Sequence, residues 1–498
     1  MMKSLAWTLV AGAVWWAASA TSAQAAESVV ARAHFAGMQA LQKAAAGSRL
    51  VKAEALPASR QWEEQVAGKV AMMAPLVFNL GVPTNAAVTL RPLVNDWWQW
   101  GGLLEVKGQA SQRQTLVAVR LPEERRTAWK QALDGLKSLP GAKVAWQEEG
   151  AWLVAVGGAD AAAAVKRFAT QIKSGKAPAL SAETWLRAQF NMQELAPALG
   201  LPIEADWPEV SLEFSTRGED VRVQGTLQFA RAVAWKPEEW HIPRSIIREP
   251  LVSFTAANGV APWLSKTRWF QGLGLKTAPN QVFGWSQAGM PLLVQAAARV
   301  DDATNTVTRL ANRLPPVAYE LIGGNKVGDF FWVSNRAELL WQGLPLMSPL
   351  LKATRNPDGQ FVWVQMFPTS PGGTNPPPEL FAQVSQRPNL VYYSWEITEH
   401  RMNSWRQWFQ LLPLFSDVRQ IPANLPGQAW LQAAAPLLGN TVTEITFVSP
   451  QKMNFVRRGP VGLTGFELNL VARALDLWGL PKDFGKLQKP PPKPITKP

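Results

Sequence analysis

The feature that most constrains this chain is a pattern that occurs twice, 178 residues apart. Gln114–Val119 reads as a strand. Pro122, followed by Glu123 and Glu124, suits a helix start, because proline lacks the amide that would go unpaired there and acidic side chains oppose the positive helix end. Trp129, Ala132, Leu133 and Leu136 form the apolar stripe of that helix. Ala142–Trp146 and Trp152–Val156 read as strands around the turn Glu148-Glu149-Gly150. After the shift, Leu293–Ala297 is again a strand, and Asp301 and Asp302 fall where Glu123 and Glu124 were. Val307, Leu310, Ala311 and Leu314 take up the stripe. Glu320–Ile322 and Phe330–Val333 read as two strands turning through Gly323-Gly324-Asn325, and Ala159–Phe168 and Arg336–Trp341 as matching helix starts. The match is one of pattern, without a gap.

The ends of the two halves also correspond. Trp185-Leu186 and Trp430-Leu431 each read as a helix start, followed by alternating strands at Val210–Phe214 and Val221–Phe229 in one half. Val442–Val448, Met453–Val456 and Gly462–Leu470 follow in the other. The spacing here is longer, which places an insertion near 354–422. The fold class expected is α+β: two tandem, internally duplicated modules with mostly antiparallel sheets, preceded by a signal peptide and an N-terminal helix. The boundaries are a signal peptide at 1–25, an N-terminal helical segment at 26–83 and a first module at 84–230. A connector at 231–250, rich in proline and tryptophan, leads to a second module at 251–478, and a Lys/Pro tail at 479–498 is expected to be disordered. The helix at 27–49 rests on the three-residue spacing of Phe35, Met38 and Leu41.

Residues 1–25 read as an export leader. Lys3 precedes an apolar stretch, Leu5–Ala18, and Ala23-Gln24-Ala25 is a small-x-small cleavage site that would start the mature chain at Ala26. That stretch is shorter than the ~20 residues a membrane-spanning helix needs, and no span is expected in the mature chain. The sequence has no cysteine, which excludes disulfides and a lipoprotein anchor. The net charge of +13 favours anionic partners. Outside the cytoplasm these are an anionic envelope surface, a glycan or another envelope protein, and not nucleic acid.

Tryptophan is the unusual residue: 25 against 3 tyrosines, 22 of them after the leader. Aromatic faces stack on sugar rings, but indoles also supply packing mass to cores. Trp97, Trp98 and Trp100, with Trp235 and Trp240 in the connector, are the candidate ligand-binding set. For catalysis, Gly284-Trp285-Ser286-Gln287-Ala288 approaches the nucleophile elbow G-x-S-x-G, with Ser286 as nucleophile and His400 as the downstream histidine. A strand in place of the required helix after Ser286 argues against it. Three histidines, His34, His241 and His400, lie far apart, and Glu396, Glu399 and His400 lack the second histidine of a zinc motif, so no metal and no cofactor is expected.

Two stretches, Glu249-Pro250-Leu251-Val252-Ser253-Phe254-Thr255 through Ala261-Pro262-Trp263-Leu264-Ser265, and Asn389-Leu390-Val391-Tyr392-Tyr393-Ser394-Trp395-Glu396-Ile397-Thr398, resemble an uncharacterised group of exported bacterial proteins with tandem α+β modules. The resemblance runs loosely from Val88 to Leu475. It implies location and architecture, and no activity. The function expected is a non-catalytic envelope protein that binds or scaffolds. The alternatives are an envelope hydrolase, through Ser286 or a carboxylate pair, and a glycan binder using exposed tryptophan.

Overall fold

The structure, a computed structural model, describes residues 29–77, 86–108, 113–139, 141–176, 179–196, 206–288, 293–321, 327–367, 373–411, 422 and 424–477. The leader, the Lys/Pro tail, the turn Gly323-Gly324-Asn325 and the residues Gly289-Met290-Pro291 after the serine motif lie outside them.

The fold is mixed α+β, built on a large antiparallel sheet. In the first half the strands are β1 (Val29–Phe35), β2 (Gly102–Lys107), β3 (Gln114–Arg120), β4 (Val144–Glu149), β5 (Trp152–Gly158), β6 (Thr184–Asn191), β7 (Glu209–Arg217) and β8 (Asp220–Gln228). They pair in the order β4-β5-β3-β2-β1-β6-β7-β8. The second half contributes β9 (Leu251–Asn258), β10 (Gln281–Gln287), β11 (Val294–Arg299), β12 (Asp329–Val333), β13 (Glu338–Gln342), β14 (Leu350–Asn356), β15 (Gly359–Gln365), β16 (Leu390–Ile397), β17 (Asn440–Ser449) and β18 (Lys452–Gly459). Their order is β12-β13-β14-β15-β11-β10-β9-β16-β17-β18. With the hairpin β12–β13 set aside, each strand has the neighbours of its namesake in the first half: β9 stands for β1, β14–β15 for β4–β5, and β16–β18 for β6–β8.

The halves join edge to edge. All of β18, Lys452–Gly459, pairs with Val221–Gln228 of β8, so one 18-stranded sheet runs through the molecule. The hairpins β7–β8 and β17–β18 each turn through two residues, Gly218-Glu219 and Pro450-Gln451. Counted from those turns, Gln224 and Val456 hold the same position, and they face each other across the joint. The joint is therefore a local two-fold.

Helices cover both faces in patches. Along the chain they are α1 (Met38–Ala44), α2 (Arg49–Glu54), α3 (Pro57–Val77), α4 (Ala86–Trp100), α5 (Glu123–Lys137), α6 (Ala161–Lys173) and α7 (Met192–Leu195) in the first half. The second half has α8 (Ala261–Leu264), α9 (Arg268–Gly272), α10 (Ala303–Leu321), α11 (Pro378–Ser385), α12 (Thr398–Leu411), α13 (Pro426–Ala434) and α14 (Gly465–Leu477). On the back face, Phe35, Leu104, Val119, Leu153, Leu186 and Phe214 lie in one core with residues of α1, α3, α4 and α5. α13 and α14 join that core from the other half, where Trp430 stacks on Trp62 at 5.1 Å. On the front face, α6 packs over Leu103, Leu116, Val154 and Val156. α11 packs Phe381 and Val384 over Phe254 and Tyr393. No helix among the described residues is long and apolar enough to cross a membrane.

Several expected elements are different in the structure. The helix over 27–49 exists only as Met38–Ala44. Val29–Phe35 is a strand between β2 and β6, because Val30, Ala31, Ala33 and Phe35 are buried while Arg32 and His34 point to the open face. The gap-free shift of 178 fails at Glu320 and Leu321, which end α10 instead of starting a strand. The helix continues through Pro315 and Pro316 because Leu314 and Val317 extend its apolar stripe against Phe270 and Leu273. Arg336–Trp341 is no helix start, since Glu338–Gln342 is a strand, and Trp185-Leu186 lies inside β6. The connector has no ladder, yet Trp240, Ile242 and Ile247 enter the front core. Side-chain amides serve its backbone instead: Asn258 bonds Glu238, Gln281 bonds Glu239 and His241, and Gln287 bonds Arg248.

Candidate functional site

The serine motif is inside the sheet. Ser286 lies on β10 opposite Ser253 of β9, and their hydroxyls are 2.7 Å apart on the buried back face. Its second partner comes from α12: Arg401 donates from Nη1 to Ser286 Oγ at 3.2 Å. His400, one residue earlier, points elsewhere and is exposed. Ser286 and His400 are thus not brought together. A guanidinium only donates, so it cannot take the serine proton as a base would. Glu396, buried nearby, accepts from the Gly465 amide at 2.6 Å. Burial pushes its pKa up, opposed by that bond and by Arg401. Burial in turn lowers the pKa of Arg401, opposed by Glu396. This cluster balances its own charge. No group of three or more histidine, aspartate or glutamate side chains able to hold a metal occurs among the described residues.

The candidate tryptophans are mostly interior. Trp97 and Trp98 are 3% exposed, and Trp98 stacks on Phe35 at 4.9 Å. Trp240 is buried, while Trp100 and Trp235 are half-buried. Glycines 37, 101 and 102 beside this aromatic cluster are needed for close backbone approach: a Cβ on Gly101 would stand 2.3 Å from the Phe35 carbonyl oxygen. A buried ring offers no face to a sugar. Among the described residues the exposed tryptophans are Trp263, Trp269 and Trp332, none of them in the set read from sequence.

The front of the joint has a different character. Across β6, β7, β8 and β18, the front side chains Arg187, Gln189, Glu213, Gln224, Asn454 and Arg458 are polar and half-buried or exposed. This open strip separates the patch under α6 from the patch under α11. At its edge lies a cavity of about 350 Å3, lined by Gln383, Arg387, Val442, Glu444, Val456 and Arg458. Alternation along β17 and β18 places the four strand residues on one face, since Val442 opposes Arg458 and Glu444 opposes Val456. Arg387 holds Glu444 through two bonds, 2.5 and 3.2 Å. Gln383 accepts from the Tyr393 hydroxyl at 2.7 Å.

Arg458 faces Arg222 across the joint, and neither forms an ion pair among the described residues. The Nε of Arg222 is shielded from solvent with no hydrogen-bond partner there. Sequence reading passed over Arg222, Arg387 and Arg458. For Arg222 the signal was present in the alternation Val221-Arg222-Val223, whereas Val456-Arg457-Arg458 does not alternate, and only the register sets the two arginines opposite each other.

No known family model, curated protein or solved structure matches the chain.

Proposed function

We propose that this chain is an exported cell-envelope protein that binds a ligand on the front of the joint between two duplicated modules, without converting it. The observation that carries the reading is the cavity at β17–β18, which opens beside an uncovered polar strip made by strands of both halves. The shared strand order supports duplication, a common way to enlarge a binding surface, with β12–β13 as an insertion in the second copy. The leader-like residues 1–25 and the net charge of +13 support export toward anionic partners.

A thermal-shift screen of the mature chain against envelope glycans, lipid headgroup analogues and inorganic anions tests the binding, beside a Val456→Trp variant that fills the cavity. Ligands are expected to stabilise the wild-type chain and not the variant. Ester or glycoside turnover abolished by Ser286→Ala would overturn the reading. N-terminal sequencing after bacterial expression is expected to start at Ala26; an intact Met1 contradicts export with cleavage.

A further inference from the structure

We infer that the cavity at the joint is an oxyanion site for a phosphate group, held by Arg458 on its wall together with Arg222, which faces Arg458 from the adjoining strand. This rests on the front face being the binding surface and narrows it to one chemistry.

Directly opposed side chains on antiparallel strands stand about 5 Å apart at Cβ, and like charges there repel. Such a pair is normally relieved by a carboxylate. Of the carboxylates on this face, Glu444 has both oxygens occupied by Arg387 and Glu213 pairs with Arg187, while Asp220, two residues before Arg222 on β8, forms no ion pair with either arginine among the described residues and its Oδ1 has no hydrogen-bond partner there. Toward the local two-fold the next residues on the same face, Gln224 and Val456, carry no charge. Two guanidiniums therefore share one end of the joint without an anion between them. At the other end, the positions related by the local two-fold are Thr226 and Asn454, so the charge is confined to the end beside the cavity.

Each guanidinium carries a planar fork of donors that fits two oxygens of a phosphate or carboxylate. Two forks reaching from adjacent strands suit a tetrahedral group better, because it offers oxygens to both and can carry charge to balance both. The amide nitrogen of Gln383 remains as a neutral donor on the cavity wall, its oxygen being taken by Tyr393. A free phosphate ion and a lipid headgroup offer the same oxygens, and the same donors would serve either.

The test is calorimetric titration of the mature full-length chain with inorganic phosphate at fixed ionic strength, alongside co-sedimentation with phosphatidylglycerol and with phosphatidylcholine vesicles. Phosphate is expected to bind one to one. Arg222→Gln and Arg458→Gln should each weaken binding by about tenfold or more. Both unliganded variants should melt no lower than wild type, because each removes a repulsion; a purely structural arginine would give the opposite shift. Vesicle binding with the same arginine dependence, competed by phosphate, identifies a headgroup; phosphate binding without vesicle binding identifies the free ion. Absence of both, or binding unchanged in both arginine variants, overturns the inference. If Val456→Trp abolishes binding while the arginine variants do not, the cavity remains the binding surface and only the oxyanion assignment falls.

Discussion

His34 stands on the front of β1, facing Arg187 of β6 and Leu103 of β2. Burial, and secondarily the Arg187 charge, lower its pKa from 6.5 to about 4, and its Nδ1 has no hydrogen-bond partner among the described residues. The unfolded imidazole takes up a proton near pH 6.5, whereas the folded one waits until about pH 4. Between those values the unfolded state binds more protons, so stability is full above pH 6.5 and falls as the solution is acidified toward pH 4. The loss from this one group is at most about 3 kcal/mol. Urea titrations at pH 7 and pH 4.5 are expected to show a smaller drop for His34→Gln than for wild type; equal drops would contradict a neutral folded imidazole. Single residues were unevenly legible. The near-elbow at Ser286 is plain in the sequence, but that Arg401 and not His400 would meet it depends on how α12 lies across β9 and β16. Burial of Trp97 and Trp98 follows from α4 ending against Phe35, a contact between segments that local pattern does not describe.

At the scale of elements, several strands and helices were readable from alternation and three-to-four spacing, including β3, α5, β5 and β11, whereas Gly462–Leu470, read as a strand, falls largely in α14, whose apolar residues Leu468, Ala472 and Leu475 are buried at helical spacing. What failed was the alignment of one half on the other. The hairpin Asp329–Val333 with Glu338–Gln342 falls at the place where a gap-free shift sets β5, and its Phe330-Phe331-Trp332 run has the composition of any strand. Only pairing reveals that β14–β15 occupies the place of β4–β5. Val29–Phe35 was hidden for a similar reason: seven residues with Phe35 at helical distance from Met38 and Leu41 satisfy both periods. If β12–β13 is an insertion, it is dispensable. Replacing residues 322–348 by a six-residue linker, the length that joins α5 to β4, should leave a chain that still unfolds cooperatively. Its melting temperature should fall, since Phe330 and Trp341 no longer pack on Tyr319 of α10 and Leu339 leaves the core. Loss of cooperative unfolding would mean that the hairpin is part of the module and the duplication is misassigned.

For the whole molecule, the joint decides the account. Two sheets with free edges at β8 and β18 would each present unpaired amides and carbonyls, an invitation to association with other chains. Pairing the equivalent edges removes both and creates a continuous front whose middle is polar and uncovered. The shared back core, in which Trp62 of α3 meets Trp430 of α13, holds the halves in that register. No part of the joint was legible in the sequence, because two-fold pairing of β8 with β18 depends on residues 232 positions apart, from Gln224 to Val456. Amide hydrogen exchange of the chain, with and without inorganic phosphate, examines this joint directly. Peptides covering 220–228 and 452–459 are expected to exchange slowly, as interior strands do, and to slow further with phosphate while peptides from β12–β13 do not respond. Rapid exchange of both peptides, as from free edges, or protection indifferent to phosphate, would contradict it.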